Sequence, residues 1–137
     1  MIFGGFDGVV ERGEYRKDSY VQGFVLAVPH DRKADYITMA ETAWPLFEEY
    51  GATRHVEAWQ GDVPHGKQTD FYRTVKAEPN EAIVFSFVEW PSRELCDAGQ
   101  EKMMNDERIG PPDGMTMPFD GKRMIWGGFR PVYEVGD

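Results

Sequence analysis

The chain has 137 residues, with 15 Lys and Arg against 24 Asp and Glu, so its formal net charge is −9. Its length fits one domain and excludes two, and 41% hydrophobic residues are typical of a packed chain rather than a disordered one. The negative charge argues against binding to nucleic acid or to an anionic membrane. The single cysteine allows no internal disulfide, and the N-terminus lacks the pattern of a secretory signal. The longest apolar run, residues 24–28, is far shorter than the roughly 20 residues that cross a bilayer. We therefore expect a cytoplasmic protein.

Two strands and a helix are predicted in the first half of the chain. Tyr20–Val28 is rich in β-branched and aromatic residues and is predicted as a strand. Apolar residues at helical spacing predict a helix over residues 32–50, in which Pro45 is expected to kink or interrupt the last turns. Thr53–Gln60 is predicted as the second strand, and residues 61–70 form a polar loop.

The second half repeats this alternation. Phe71–Val75 fits a short helix or a strand equally well. Ala82–Trp90 is the strongest strand signal in the chain, and a second helix is predicted over residues 93–106. A loop over residues 109–120 then leads to a last predicted strand, Arg123–Val135.

The order β-α-β-β-α-β predicts a ferredoxin-like α+β fold over residues 20–137. Right-handed crossovers place both helices on the same face of the antiparallel sheet and leave the other face uncovered. Large apolar side chains on both faces of residues 82–90 make an uncovered face unfavourable in water. The simplest cover is the sheet of a second copy, so we expect a two-fold homodimer.

The sequence contains one internal repeat. Residues 1–14 (MIFGGFDGVVERGE) align without a gap to residues 124–137 (MIWGGFRPVYEVGD), with eight of fourteen positions identical. Residues 1–19 are thus an N-terminal extension that resembles a copy of the last strand. The extension is either the tail of an upstream tandem copy, read from an internal methionine, or a structural element. If it is ordered, Ile2–Glu11 is predicted to add as a strand at a sheet edge of its own chain or of its partner.

Several separate motifs carry a family resemblance: GFVLAVP at residues 23–29, VEAWQGDVP at 56–64, TDF at 69–71, VFSFVEWP at 84–91 and MPFDGKRMI at 117–125. Over about residues 20–132 the chain resembles the YbaA-like family of small bacterial proteins of unknown function. The resemblance implies a dimeric α+β barrel but no established activity or catalytic residue. Members of that family begin near Ser19, so the extension is a departure from the pattern.

Polar residues alternate along the second predicted strand. His55, Glu57 and Trp59 share one face, and the small apolar residues Val56 and Ala58 share the other. Small residues pack well under helices, so we expect His55 and Glu57 to point away from the helices, into the barrel.

A second carboxylate, Glu89, is expected near Glu57 on the neighbouring strand, beside Phe85 and Phe87. An aromatic cavity raises the pKa of a carboxyl group by desolvation and favours proton transfer. The candidate catalytic residues are Glu57, Glu89 and His55. In the alternative interpretation the two glutamates are strand-end residues, solvated or paired with Arg54, Arg73 or Arg123.

The loop over residues 113–122 combines apolar side chains with glycines. It is interpreted as an adaptable lid over an apolar pocket or, alternatively, as a connection that fills the sheet edge. Lys122 and Arg123 could bind an anionic ligand or form local salt bridges. The candidate ligand-binding residues are Trp59, Phe85, Phe87, Met117, Phe119 and Arg123.

No metal site or cofactor is predicted. His55 with Glu57 lacks a diagnostic spacing, as does the set Asp62, His65 and Asp70. Cys96 is expected to be a buried small hydrophobic residue.

Two functions remain open at this level. The first is a homodimer that binds a small apolar or aromatic metabolite at the sheet face, as a binding protein or as a cofactor-free enzyme of proton transfer or oxygenation. The second is a non-catalytic interaction or stress-related dimer without a ligand pocket.

Overall fold

Five antiparallel strands form one open sheet, and three helices accompany it, in the computed structural model, which describes residues 1–136. The strands are β1 (Gly5–Gly13), β2 (Tyr20–Pro29), β3 (Arg54–Asp62), β4 (Glu81–Trp90) and β5 (Ile125–Phe129). The helices are α1 (Lys33–Glu49), α2 (Phe71–Thr74) and α3 (Arg93–Met104), with one-turn 3₁₀ helices at His30–Arg32 and Gly121–Arg123. The strand order is β1-β3-β4-β2-β5, and every neighbouring pair is antiparallel. The chain is therefore a mixed α+β protein.

Side chains cap α2 and α3 at their N-termini, whereas α1 begins without a side-chain cap. The Ser92 hydroxyl accepts a hydrogen bond from the backbone N–H of Leu95 at 3.1 Å and so starts α3. Helix α1 runs through Pro45 to Glu49, so the predicted interruption is wrong. Proline removes only one helical hydrogen bond, and Phe47 after it packs edge-on against Trp90, which stabilises the last turn. None of the helices in residues 1–136 has the length and apolar character to cross a membrane.

Helices α1 and α3 pack on the same face of the sheet, called here the helix face. Tyr36 of α1 lies against Leu26 of β2, and Cys96 of α3 lies against Trp90 of β4. At Gly99 an added Cβ would lie 2.5 Å from the Trp90 ring, so only glycine allows this close approach of α3. This face carries most of the core.

The opposite face, called here the open face, is covered only at one end. There α2 and the loop after it place Phe71 and Val75 on Ala27 and Ile83. The rest of the face carries exposed aromatic side chains.

Strand β1 lies at one edge of the sheet and pairs with β3, from Gly5 opposite Asp62 to Gly13 opposite Arg54. The N-terminal segment thus forms an edge strand in its own sheet, three residues later at its start than predicted. Val10 of β1 is fully buried beside Glu57, so the strand also closes the side of the core.

The last strand is shorter than predicted. It covers Ile125–Phe129 rather than residues 123–135, and it pairs with β2 at the other edge. The pairing ends where Phe129 meets Val21, one residue from the start of β2 at Tyr20. Pro131, which has no backbone N–H, follows at once.

Candidate functional site

The alternating residues of β3 face the helices, which corrects the expectation from sequence. His55 and Glu57 pair with Val88 and Ser86 on the helix face. Val56 and Ala58 instead lie on the open face, opposite Phe87 and Phe85. Alternation shows which residues share a face, but not which face the helices cover, and here the large aromatics of β4 complement the small residues of β3.

Glu57 is the centre of a buried hydrogen-bond network. Its Oε1 accepts a bond of 2.6 Å from the hydroxyl of Tyr36 on α1. Its Oε2 accepts a bond of 2.8 Å from the hydroxyl of Ser86 and lies 2.6 Å from Nε2 of His55. Only 5% of Glu57 is exposed, so these three donors replace water around the carboxylate.

The contact with Glu57 fixes the tautomer of a neutral His55 ring. A carboxylate oxygen only accepts hydrogen bonds, so Nε2 is the donor of the 2.6 Å contact, and in the neutral ring Nδ1 is then an acceptor. Nδ1 is buried and has no hydrogen-bond partner within residues 1–136. The rings of Trp44 and Phe47 lie 6.4 and 5.1 Å from the imidazole between centroids and hold it in place. A histidine oriented by a carboxylate, with its second nitrogen unsatisfied, is poised to accept a proton or a hydrogen bond.

Tyr36 contributes a neutral hydroxyl to this network. Burial, followed by the charge and hydrogen bond of Glu57, holds the pKa of Tyr36 well above its usual value. Tyr36 therefore acts as a donor to Glu57 at all physiological pH values.

The network forms the floor of a cavity between the helices and the sheet. Its volume is about 400 Å³, within the usual range for small-molecule sites. Most of its wall is apolar, with contributions from Leu26, Met39, Phe47, Val88, Met103 and Phe119. Its polar lining includes His55, Glu57, Ser86, Gln22 and Gln100, and no Lys or Arg of the described residues lines it. The cavity thus offers an apolar volume with a few polar groups on one wall.

The structure does not bring the candidate ligand-binding residues together in one site. Phe119 lines the cavity and packs edge-on against Tyr36, with ring centroids 5.8 Å apart. Trp59 is buried under Tyr36 and lies outside the cavity lining, and Met117 is exposed. Of the loop predicted as a lid, Phe119 reaches the cavity.

Phe85, Phe87 and Glu89 lie on the open face, opposite to the Glu57 network. They line a groove of about 720 Å³ that also includes Arg54 and Trp126. Glu57 and Glu89 are therefore on opposite faces, and the expectation that they meet is wrong. Glu57 pairs with Ser86, and Glu89 lies three residues from Ser86 along β4, so its side chain points to the other face. Glu89 Oε1 lies 3.5 Å from Nη1 of Arg54, and its Oε2 is buried without a partner in the described part of the chain. Burial raises the pKa of the Glu89 carboxyl, against the opposing effect of Arg54.

Arg123 forms local ion pairs. Its Nη1 and Nη2 each donate to Glu81 at 2.7 Å, and its Nε lies 3.1 Å from Asp120. The two parallel hydrogen bonds hold the pKa of Glu81 below its usual value. Arg123 is thus occupied by a buried carboxylate and lies outside the cavity lining.

Cys96 is buried in the core, and burial raises the pKa of its thiol to about 11. It is an unreactive thiol at neutral pH. Within residues 1–136 no three His, Cys, Asp or Glu side chains are grouped closely enough to hold a metal ion.

Sequence reasoning missed Tyr36 and Ser86, which complete the network. A buried tyrosine hydroxyl needs an acceptor, and a carboxylate on the neighbouring strand is the strongest one available. That requirement was the signal that could have placed Glu57 beneath the helix.

Comparisons with known proteins agree with the resemblance seen in the motifs. A family model described as "Protein of unknown function (DUF1428)" matches residues 19–121. The chain is 56% identical over 115 residues to "Uncharacterized protein YbaA" of Escherichia coli (strain K12), covering 84% of this chain and 97% of that protein. The YbaA protein of Shigella flexneri matches with the same identity and coverage. The predicted kinship with YbaA is confirmed, and the chain belongs to the DUF1428 family of proteins of unknown function.

Proposed function

We propose that this protein binds a small, mostly apolar or aromatic metabolite in the cavity between its helices and its sheet. The observation that carries this proposal is the buried, unpartnered Nδ1 of His55, a residue that lines an apolar cavity of about 400 Å³. An unsatisfied buried acceptor costs about 1–3 kcal/mol, and a bound donor would recover that cost.

The cavity lining restricts the class of ligand. Glu57 already places a carboxylate in the wall, and none of the described lining residues is Lys or Arg. A carboxylate or phosphate ligand would be repelled by that wall and left without a counter-ion. These features exclude an anionic ligand, and we propose an uncharged one, with one hydrogen-bond donor directed at His55 and an apolar body against the methionines and Phe119.

The orientation of His55 by Glu57 favours a second function, proton transfer. A carbon or oxygen acid bound at Nδ1 gives its proton to that nitrogen, and the electron pair stays on the ligand as its anion. Glu57 stabilises the imidazolium, and the proton then returns to the ligand, so the step needs no oxidant or cofactor.

Binding is tested with indole, an uncharged aromatic with one N–H donor, and with benzofuran, which replaces that N–H by oxygen. Amide NMR titrations locate and quantify binding of each probe. We expect both probes to shift the resonances of residues around the cavity, with indole bound about fivefold more tightly, the value of one hydrogen bond. Equal affinities, or shifts confined to the open face, would contradict the proposal.

Two matched variants control this titration. Ala43→Trp places a large side chain from α1 into the cavity and should abolish binding of both probes. Phe87→Leu alters the groove on the open face and should leave both affinities unchanged.

Proton transfer is tested with phenylacetone in deuterated buffer, because its benzylic C–H bonds are weakly acidic and exchange is visible by NMR. We expect the wild-type protein to accelerate exchange, and both His55→Leu and Ala43→Trp to remove the acceleration. If phenylacetone binds and the wild-type protein leaves exchange at the buffer rate, the protein is a binding protein only.

We propose further that the protein is a homodimer with the dimeric α+β barrel architecture. The order β3-β4-β2-β5 with two helices on one face supports the ferredoxin-like unit. Exposed Phe85 and Phe129 on the open face support a second copy as its cover. In this arrangement the two cavities lie outside the barrel, one in each protomer.

A further inference from the structure

The two copies of the sequence repeat are used differently. β1 uses residues 5–13, which align with residues 128–136 of the C-terminal copy. That copy pairs as a strand only up to Phe129. Residues 130–136, called here the C-terminal tail, pair with no strand in the described part of the chain. The tail therefore has the sequence of a strand but no strand partner.

The tail also exposes apolar side chains. Tyr133 is 84% exposed and Val135 is 78% exposed, although both types favour strands. The side-chain hydrogen bonds of the tail within the described residues involve Glu134, which accepts from the Tyr15 hydroxyl and from the backbone N–H of Asp18. Arg130 also lies over the Tyr20 ring at 6.0 Å, so a few side-chain contacts, but no strand pairing, hold the described part of the tail.

Pairing with the β3 edge requires a glycine at one position, and the tail has a glycine there. Gly13 of β1 has a φ of +81°, and an added Cβ would lie 2.1 Å from the backbone oxygen of Thr53, so only glycine fits. The aligned residue of the tail is Gly136. Val132 aligns with Val9, and Tyr133 aligns with Val10, the residue opposite Glu57, so both tail residues are types that favour strands.

The one proline of the tail falls where it is tolerated. Pro131 aligns with Gly8, which borders the register shift between Gly8 and Val10 in β1. Prolines occur at bulges and in edge strands, because a backbone N–H is not needed there.

The tail cannot reach this edge in its own chain. It continues from β5, and β5 and β3 are separated by β2 and β4 in the sheet. If the tail pairs with a β3 edge, that edge therefore belongs to another molecule, where β1 covers it.

We propose that residues 130–136 of a second copy dock as a strand on the β3 edge, in the register that β1 now holds, and that β1 is an intramolecular cap on this site. Because β1 is tethered to the sheet that it covers, its effective concentration exceeds that of a tail from another molecule. Strand exchange between copies therefore takes place when β1 is released. This proposal does not depend on the cavity or on contact between open faces.

Disulfide trapping in the full chain tests the register, with Cys96→Ala as background. Ala58→Cys with Pro131→Cys places cysteines at positions opposite each other in the proposed pairing, because Gly8 is opposite Ala58. Ala58→Cys with Val132→Cys shifts the second cysteine by one residue to the other face and is the matched control. Covalent dimers are counted on non-reducing gels after mild oxidation.

Release of β1 is the second variable. Val10→Pro removes a backbone N–H and a buried side chain of β1 and should increase covalent dimers at least about tenfold over the same cysteine pair with β1 intact. Arg12→Glu removes the 2.7 Å ion pair with Glu41 of α1 without changing the core, and should give a smaller increase in the same direction. It serves if Val10→Pro fails to fold.

Two results overturn the proposal. The first is a dimer yield that neither release variant raises. The second is an equal yield from the control pair of cysteines. The increase should persist when Phe85 and Phe87 are both changed to Ser, which separates strand exchange from contact between open faces.

Discussion

Each face of the sheet buries a carboxylate, and the two carboxylates differ in their hydrogen-bond partners. Glu57 on the helix face accepts from three neutral or ring donors and has no Lys or Arg partner. Glu89 on the open face has a single long contact to Arg54 and one oxygen without a partner in the described residues. The carboxylate of the helix face thus has hydrogen-bond partners for both oxygens within one chain, and the unpartnered atom of its network is Nδ1 of His55. The carboxylate of the open face lacks a partner for one oxygen in the described residues. This difference is consistent with the two proposals, a small-ligand site on the helix face and contact with a second copy on the open face.

The largest expected effect comes from removing the carboxylate of the helix face. Glu57→Ala leaves three buried donors without an acceptor, so the free energy of unfolding should fall by about 4 kcal/mol in urea denaturation. Glu57→Gln retains an acceptor and should cost about 1 kcal/mol. If the alanine variant costs no more than the glutamine variant, Glu57 is not the centre of the network.

Arg123→Gln tests a third buried carboxylate, Glu81, which has the ideal partner that Glu89 lacks. Loss of the bidentate pair should lower the free energy of unfolding by about 3 kcal/mol at neutral pH, because Glu81 remains buried. The pKa of Glu81 is lowered in the folded state, so the pair stabilises above the unfolded pKa of about 4.3, and this stabilisation is lost as pH falls through the folded pKa. The difference in the free energy of unfolding between the wild-type protein and Arg123→Gln should therefore be largest at pH 7 and should decrease below about pH 4. A difference that does not change with pH would contradict the stabilisation of the fold by the Arg123–Glu81 ion pair.

Changing Phe85 and Phe87 together to Ser tests the open face. Both lie in its groove, so the variant should elute as a monomer in size-exclusion chromatography with light scattering, where the wild-type protein elutes as a dimer. Indole binding in the cavity should be retained. A wild-type monomer would contradict the proposed dimer while leaving the cavity proposal untouched.

The smallest effect is expected at Glu89. Its pKa is raised in the folded state by burial, so ionisation weakens folding, and the stability present at low pH is lost as pH rises through the folded pKa. Glu89→Gln removes this loss and should raise Tm slightly at pH 7 and leave it unchanged near pH 4. The control is Glu11→Gln, which removes an exposed carboxylate on β1 and should change Tm at neither pH. A lower Tm at pH 7 for Glu89→Gln would show that the contact with Arg54 outweighs burial.

Much of the fold follows from the sequence, because its signals are local. Proline and glycine bound β2 and α1, and the alternation in β4 is strong enough to set its limits within one residue. The internal repeat predicted an edge strand that no propensity alone would have located. The end of β5 was not predictable in this way, because it depends on the register in which β5 pairs with β2, which is a tertiary property.

The candidate site was predictable only in part. His55 and Glu57 were identified as a pair on one face, and the structure joins them by a 2.6 Å contact. The face itself was assigned wrongly, because alternation contains no information about which side the helices cover. Tyr36 comes from α1, and its contact with Glu57 depends on the packing of the helix on the sheet, which is a tertiary property.

Nitrogen NMR of the His55 ring tests the central claim most directly, with indole as the probe. We expect Nε2 to carry the proton in the free protein and Nδ1 to be bare, and saturation with indole to shift the Nδ1 resonance while Nε2 remains protonated. A proton on Nδ1 in the free protein, or an Nδ1 resonance unchanged at saturating indole, would contradict the claim that His55 presents its acceptor to a ligand in the cavity.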